Sequence, residues 1–222
     1  MICADLSWGA GGGQGGTAEN DGNHQGADGG NGGYIVFDLV VSDGEAIDIL
    51  MGQQRADGSG ANDGSTAGGA GGVSPTNNGG DGADVDFDND GAGGGGASET
   101  QIRRSGTILA RIHGGGGGGG SVYDVDSSFG DGGGGGGGAA GGLGGSGVQQ
   151  NDGQDAEGSG LGGDGGGAYN GTEPPTAGDP GGAEVVDAAP SNVTTTLGGG
   201  NAGDPQVDIV EKPPAPSLGI AS

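Results

Sequence analysis

Four aspartates at alternate positions, Asp84, Asp86, Asp88 and Asp90, followed by Gly91, form the densest set of potential metal ligands in the chain. The run Asp86-x-Asp88-x-Asp90-Gly91 has the spacing of the first half of an EF-hand calcium loop, where oxygen donors at odd positions surround a hard cation. The bidentate glutamate that closes such a loop would fall at Ala97, and no helical pattern flanks the run. Two readings stand: calcium or another structural cation held by the four aspartates, or an edge strand with Val85 and Phe87 inward and the acids in solvent.

Other reactive side chains are scattered. His24, His113 and Cys3 have no third group at a spacing that would activate a nucleophile. No catalytic residue is assigned and a non-enzyme is expected. With 67 glycines, GxGxxG matches are unavoidable, and they lack the strand–turn–helix setting of a dinucleotide site. The single lysine, Lys212, lies in the tail, which excludes a phosphate-binding loop of the Walker type. Arg103, Arg104 and Arg111 lie in one expected hairpin and either hold an anionic sugar or pair with nearby acids. Asn170-Gly-Thr172 and Asn192-Val-Thr194 match the glycosylation sequon, here read as coincidental. Three aromatics stand apart. Tyr123, Phe129 and Tyr169 fall in loops joining glycine runs, where a glycine interior offers nothing to pack against. They either fold back onto a sheet or present a receptor-binding surface, as aromatics do at interfaces.

The elements that must position these residues are unusual. Leu, Ile, Val and Phe together number 33 of 222 residues, and thirty acids face five bases for a net charge of −25. Such figures lie in the range of unfolded chains. The apolar residues, however, cluster into a few alternating segments, which argues for an ordered chain with a modest core and many backbone hydrogen bonds. An excess of Asp over Glu with one lysine matches proteins of saturated-salt environments; the alternative is an acidic surface kept soluble by self-repulsion. In molar salt the screening length falls to about 3 Å, so the acids would not repel one another at a distance; the fold is expected to weaken as salt is removed. The absence of a basic patch excludes nucleic acid as a partner. No apolar run is long enough to insert in a membrane, and the lone Cys3 excludes an internal disulfide framework.

In chain order, residues 2–8 read as a short strand. Residues 34–41 and 46–51, each apolar on alternate positions, flank Ser42-Asp43-Gly44-Glu45 and are expected to form a β-hairpin. A second hairpin is expected over 97–103 and 107–113, and further strands over 184–187, 193–197 and 206–210. Between them lie glycine stretches, above all 114–120 and 132–138, each seven glycines in a row. A lone polyproline II-type helix has no internal hydrogen bonds, but several packed side by side can bond to one another, with glycine required wherever they touch. Seven residues would span roughly 22 Å at about 3.1 Å each. Substitution is expected to be severe within 114–120 and mild within 58–64.

The ordered series comprises 9–16, 34–54, 93–98, Ile102-Arg103, 108–112, 114–120 and the closing strand 207–210. It resembles the glycine-rich domain of viral tail-fibre and adhesin proteins and of anaplastic lymphoma kinase-type receptor ectodomains. The resemblance covers residues 1–211, leaving 212–222 as a Pro-containing tail. It implies a mainly β fold with irregular structure and no significant α-helix: a small β-sandwich against a bundle of polyglycine II helices. A unit of this extracellular type, starting at residue 2 with no secretion signal and a salt-adapted surface, leads to the expectation of a virion structural protein from a tailed virus of haloarchaea. As a tail-fibre or spike tip it would sit on the virion, extracellular after release. There it would bind a host surface glycan or glycoprotein non-covalently, alongside other virion proteins and as a homo-oligomer or part of a larger assembly. A purely architectural virion protein (capsid decoration or tail) and an exported cell-surface or matrix protein are the alternatives.

Overall fold

The computed structural model describes residues 2–8, 10–15, 26–53, 55–58, 69–85, 91–121, 138–139, 141–145, 152–158, 160–167, 174–199 and 204–211. Among them the fold is mainly β, with no helix: β1 Ile2–Trp8, β2 Tyr34–Leu39, β3 Ile47–Leu50, β4 Thr100–Arg104, β5 Thr107–Ile112, β6 Ala183–Val185, β7 Ser191–Thr196 and β8 Gln206–Glu211. They form two four-stranded antiparallel sheets, ordered β7-β2-β1-β8 and β3-β4-β5-β6. Ile35, Phe37 and Leu39 of the first sheet and Ile102, Leu109, Ala110, Ile112 and Ala183 of the second make one buried apolar cluster. The alternation read from the sequence therefore identifies the inward face of β2 correctly.

The partner of β2 is a correction. Residues 34–51 do not form a hairpin: β2 pairs with β1 and β7, while β3 pairs with β4 in the other sheet. The turn itself is present, with Glu45 N–H donating to Ser42 O (3.1 Å) and Gly44 at φ 76°. Both hydrogen-bonding edges of β2 are taken by distant segments, so the chain crosses between sheets and the two apolar faces meet across the core. Arg104 holds the crossing, pairing with Glu45 at 2.9 Å and donating to Val40 O. The second expected hairpin does form, as β4 and β5. Ser105 and Gly106, at φ 47° and 83°, make its two-residue turn with the twist that antiparallel strands favour. β4 begins at Thr100 because the N–H groups of Ala97, Ser98 and Glu99 bond instead to Gly115, Gln53 and Asn77.

Glycine-rich stretches continue the strands. β5 runs on into 113–121, and 26–33, 91–99 and 174–182 lead into β2, β4 and β6; 10–15 follows β1 in the chain, and 51–53 and 55–58 follow β3. At their centre lies 114–121, buried throughout. Gly115 and Gly118 N–H donate to Ala10 and Gly13 (3.1 and 2.7 Å), Gly116 and Gly119 to Asp179 and Thr176 (3.0 and 3.1 Å), and Gly114 to Ala139 (2.7 Å). In return Gly116 and Gly119 accept from Gly30 and Ala27 (2.8 and 2.9 Å), and Gly114 and Gly117 from Gly163 and Gly166 (3.1 and 2.8 Å). Gly115, Gly118 and Ser121 accept from Ala97, Gly94 and Gly91 (3.0, 2.9 and 2.7 Å). Where a neighbour bonds more than once, it returns at every third residue of the central stretch. Six segments thus surround one, three receiving its hydrogen bonds and three supplying them.

Contact this close leaves no room for side chains. A Cβ at Gly115, Gly116, Gly117, Gly118 or Gly120 would stand 1.9–2.1 Å from a carbonyl oxygen of a neighbouring segment. Gly58 is a further correction. Rather than lying in a tolerant loop it is packed, and a Cβ there would stand 2.3 Å from Ala92 O.

Candidate functional site

The receptor-binding candidates Tyr123, Phe129 and Tyr169, and the metal candidates Asp86, Asp88 and Asp90, lie outside the described residues. Asp84 is exposed and Val85 beside it fully buried, the alternation of the edge-strand reading. No group of three or more His, Cys, Asp or Glu that could hold a metal occurs among the described residues.

What the described residues fix is where these stretches leave and rejoin the bundle. The sheets define its near end, so the run that starts at His113 reaches the far end at Ser121. Gly91 N–H bonds to Ser121 O there, and Gly58 N–H to Gln14 O (2.9 Å). Gly15, Gly58 and Ser121 therefore end their described segments at the far end, and Gly26, Gly91 and Pro174 begin theirs there. Gly167 ends at the same level: its carbonyl accepts from Thr176 N–H (2.8 Å) and its N–H donates to Thr176 Oγ1 (2.7 Å), and Thr176 O itself accepts from Gly119. Tyr123 and Phe129 follow Ser121, Tyr169 falls between Gly167 and Pro174, and Asp86, Asp88 and Asp90 fall between Val85 and Gly91.

A buried polar cluster at the junction of sheet and bundle escaped the sequence reading. Glu99 and His113, both without solvent exposure, face each other with Nδ1 of His113 3.4 Å from Oε2 of Glu99. Asn77 donates to Glu99 Oε2 (3.3 Å) and Gln101 to Oε1, while Arg103 Nε donates to Gln101 Oε1 (2.8 Å). Glu184 lies 3.8 Å from His113 Nε2 and 3.7 Å from Arg111. Burial alone pushes the Glu99 carboxyl up; the hydrogen bonds from His113, Gln101 and Asn77, with the charge of His113, outweigh it and hold the group below its ordinary value. Glu99 and His113 themselves are sealed from solvent behind the partly exposed Asn77, Arg103 and Glu184, and the pair serves as a polar clamp. Its signal in the sequence was positional: Glu99 follows one glycine run and His113 precedes another, each one residue beyond the Thr100–Ile112 pair that ends the β4–β5 ladder.

The arginines pair locally instead of forming an anion site: Arg104 with Glu45, Arg111 with Glu184, and Arg103 with the amide of Gln101. Asn192 of the second sequon donates its side-chain amide to Asp38 Oδ2 at 2.7 Å, inside β7 pairing. Between the sheets, on the side of edge strands β3 and β8, opens a cleft of about 160 Å³ lined by Phe37, Leu39, Val41, Ile47, Ile49, Ile102, Val207 and Ile209. At its rim, Glu45 is already engaged by Arg104 and by Ser42 N–H (2.8 Å). Ile209 stays about half exposed there. No family model matches this chain, and no curated protein matches it either.

Proposed function

We propose that the protein is a non-enzymatic display scaffold: a β-sandwich continued by a bundle of polyglycine II helices, with the chain stretches at the far end binding a surface. The observation that carries this reading is the placement of Gly15, Gly58, Ser121 and Gly167, with Gly26, Gly91 and Pro174, at one end of the bundle. Binding loops on a stiff support vary in sequence without threatening the fold, and the central segment bonded to six others supplies the stiffness. Together with the resemblance to tail-fibre and adhesin domains, this supports a virion structural protein, a tail-fibre or spike tip of a haloarchaeal tailed virus. It would capture a host surface glycan or glycoprotein through Tyr123, Phe129 and Tyr169, with cations at Asp84, Asp86, Asp88 and Asp90 as an open part of that reading. Two acidic surfaces in molar salt attract each other only at short range, so ring stacking and bridging cations carry the contact. The half-exposed Ile209 at the apolar cleft suits attachment of the sheet end to other virion proteins or to further copies.

The triple variant Tyr123→Ala, Phe129→Ala, Tyr169→Ala is expected to leave the circular dichroism spectrum unchanged and to lower adsorption of particles to host cells. Normal adsorption would instead favour the purely architectural role, in a capsid decoration or tail or in a cell-surface matrix.

A further inference from the structure

A bundle of extended glycine segments has the difficulty of a sheet edge on every side: its outermost segments point N–H groups at nothing. Four of these groups are met in the same way. Gln14 N–H donates to Asp57 Oδ1 (3.0 Å), Gly71 N–H to Asp81 Oδ1 (2.7 Å), Leu143 N–H to Asp164 Oδ1 (2.8 Å) and Gly144 N–H to Asp155 Oδ1 (2.8 Å). All four aspartates are exposed, so these bonds lie at the rim. Each aspartate sits on a segment already bonded to the donor's own, through Gly58 to Gln14, Gly82 to Gly69, Gly165 to Leu143 and Gly153 to Gly145. The side chain thus reaches around to an N–H that the backbone of its own segment leaves unmet. Asp81 and Asp164 are each flanked by two glycines, which lets the backbone lie close while one side chain leaves the packing.

We propose that these aspartates are lateral caps. Each supplies the acceptor that one more extended segment would offer, and so closes the bundle against further glycine-rich chain, including that of a second copy. A carboxylate accepting a backbone N–H does at the side of this bundle what an aspartate N-cap does at the end of an α-helix. The role is independent of what the far end binds, and it gives part of the acidity a local cause separate from net charge.

Amide hydrogen exchange on the full chain in molar salt, where long-range repulsion is screened, tests the role one site at a time. In Asp81→Ala the Gly71 amide should exchange at least about fivefold faster, the factor matching loss of an α-helix cap at about 1 kcal/mol. The Leu143 amide should be unchanged in that variant, and the pattern should reverse in Asp164→Ala. Asp81→Asn and Asp164→Asn keep an acceptor oxygen and should exchange like the parent. In sedimentation velocity, a variant with Ala at positions 57, 81, 155 and 164 should form larger species than the parent, and its Asn counterpart should not. Unchanged Gly71 exchange in Asp81→Ala overturns the proposal, as does equal loss in the Ala and Asn variants, which would assign the effect to charge. Parent-like sedimentation of a folded Ala variant overturns the closing role; should that variant unfold, the single-site exchange data decide.

Discussion

The sheets and the glycine bundle share the continuous segments 26–39, 91–121 and 174–185, yet they exclude water by opposite means. In β2, Phe37 is 1% exposed because its ring fills the space between two sheets. Burying a side chain of that size is worth about 1.5–3 kcal/mol. Eighty residues later Gly117 is equally buried because it has no side chain, and backbone lies against backbone on all sides. The sheet half draws on apolar surface and tolerates spacing between backbones. The bundle half draws on hydrogen bonds at a net of about 0.5–1.5 kcal/mol each and tolerates no spacing at all. A chain with so few large apolar residues can be ordered because the second means needs none of them.

The comparison breaks most sharply at Gly117→Val. Its Cβ would stand 2.0 Å from Gly94 O, and the obstruction is backbone on a segment itself bonded on other sides. The cost should exceed the about 1–3 kcal/mol of ordinary overpacking, and circular dichroism should show no cooperative transition. A variant that folds with parent-like stability would mean that the central packing is looser than its hydrogen bonds require.

The junction between the halves comes next. Glu99→Ala leaves His113 buried without its carboxylate, a change worth about 3–5 kcal/mol for a buried pair, read as a lowered unfolding midpoint at neutral pH. The folded-state pKa of Glu99 lies below its ordinary 4.5. Its stabilisation is therefore fully present above that value and lost as pH falls through the lower folded one. The gap between parent and variant should narrow below about pH 4.5. A gap independent of pH would assign the loss to packing.

The smallest effect separates two uses of glycine. Gly44, at φ 76° with nothing within 4 Å of a built Cβ, is a glycine for its backbone conformation alone. Gly44→Ala should cost only about 1–2 kcal/mol, the left-handed penalty of an L-residue, in a urea titration with an unchanged slope. A cost matching that of Gly117→Val would erase the distinction.

Much of the strand half was legible. β1 matches the stretch read from Ile2 to Trp8, and the alternation of Ile35, Phe37 and Leu39 gave the inward face of β2. Alternation says which face is apolar but not which strand lies alongside, so β2 and β3 were paired with each other when each has partners far along the chain. That 114–120 is neither helix nor strand was legible from composition, but its place at the centre was not: 132–138 is an equal run of seven glycines, and 132–137 lies outside the described residues. Register among the surrounding segments was not legible either, because a glycine run carries no side-chain pattern to fix it. Asp57, Asp81, Asp155 and Asp164 were read only as charge, since nothing in a sequence tells a solvated carboxylate from one folded back onto a neighbour's N–H. Glu99 was invisible for a related reason, its partner His113 being brought to it by pairing across two strands.

The continuity of β2, β4, β5 and β6 with their glycine segments also decides how the molecule carries load. Along 26–39, 91–121 and 174–185 a pull on the far end passes from bundle to sheet through described backbone without a break. It travels down covalent backbone while the cross-links between neighbouring segments are loaded in shear. Slipping the central segment means breaking its bonds to all six neighbours within the same few ångströms of travel, so they resist together instead of peeling one by one. Forced unfolding is governed by the rate of crossing that barrier, so the same lattice that orders the chain also makes it a tether that yields late.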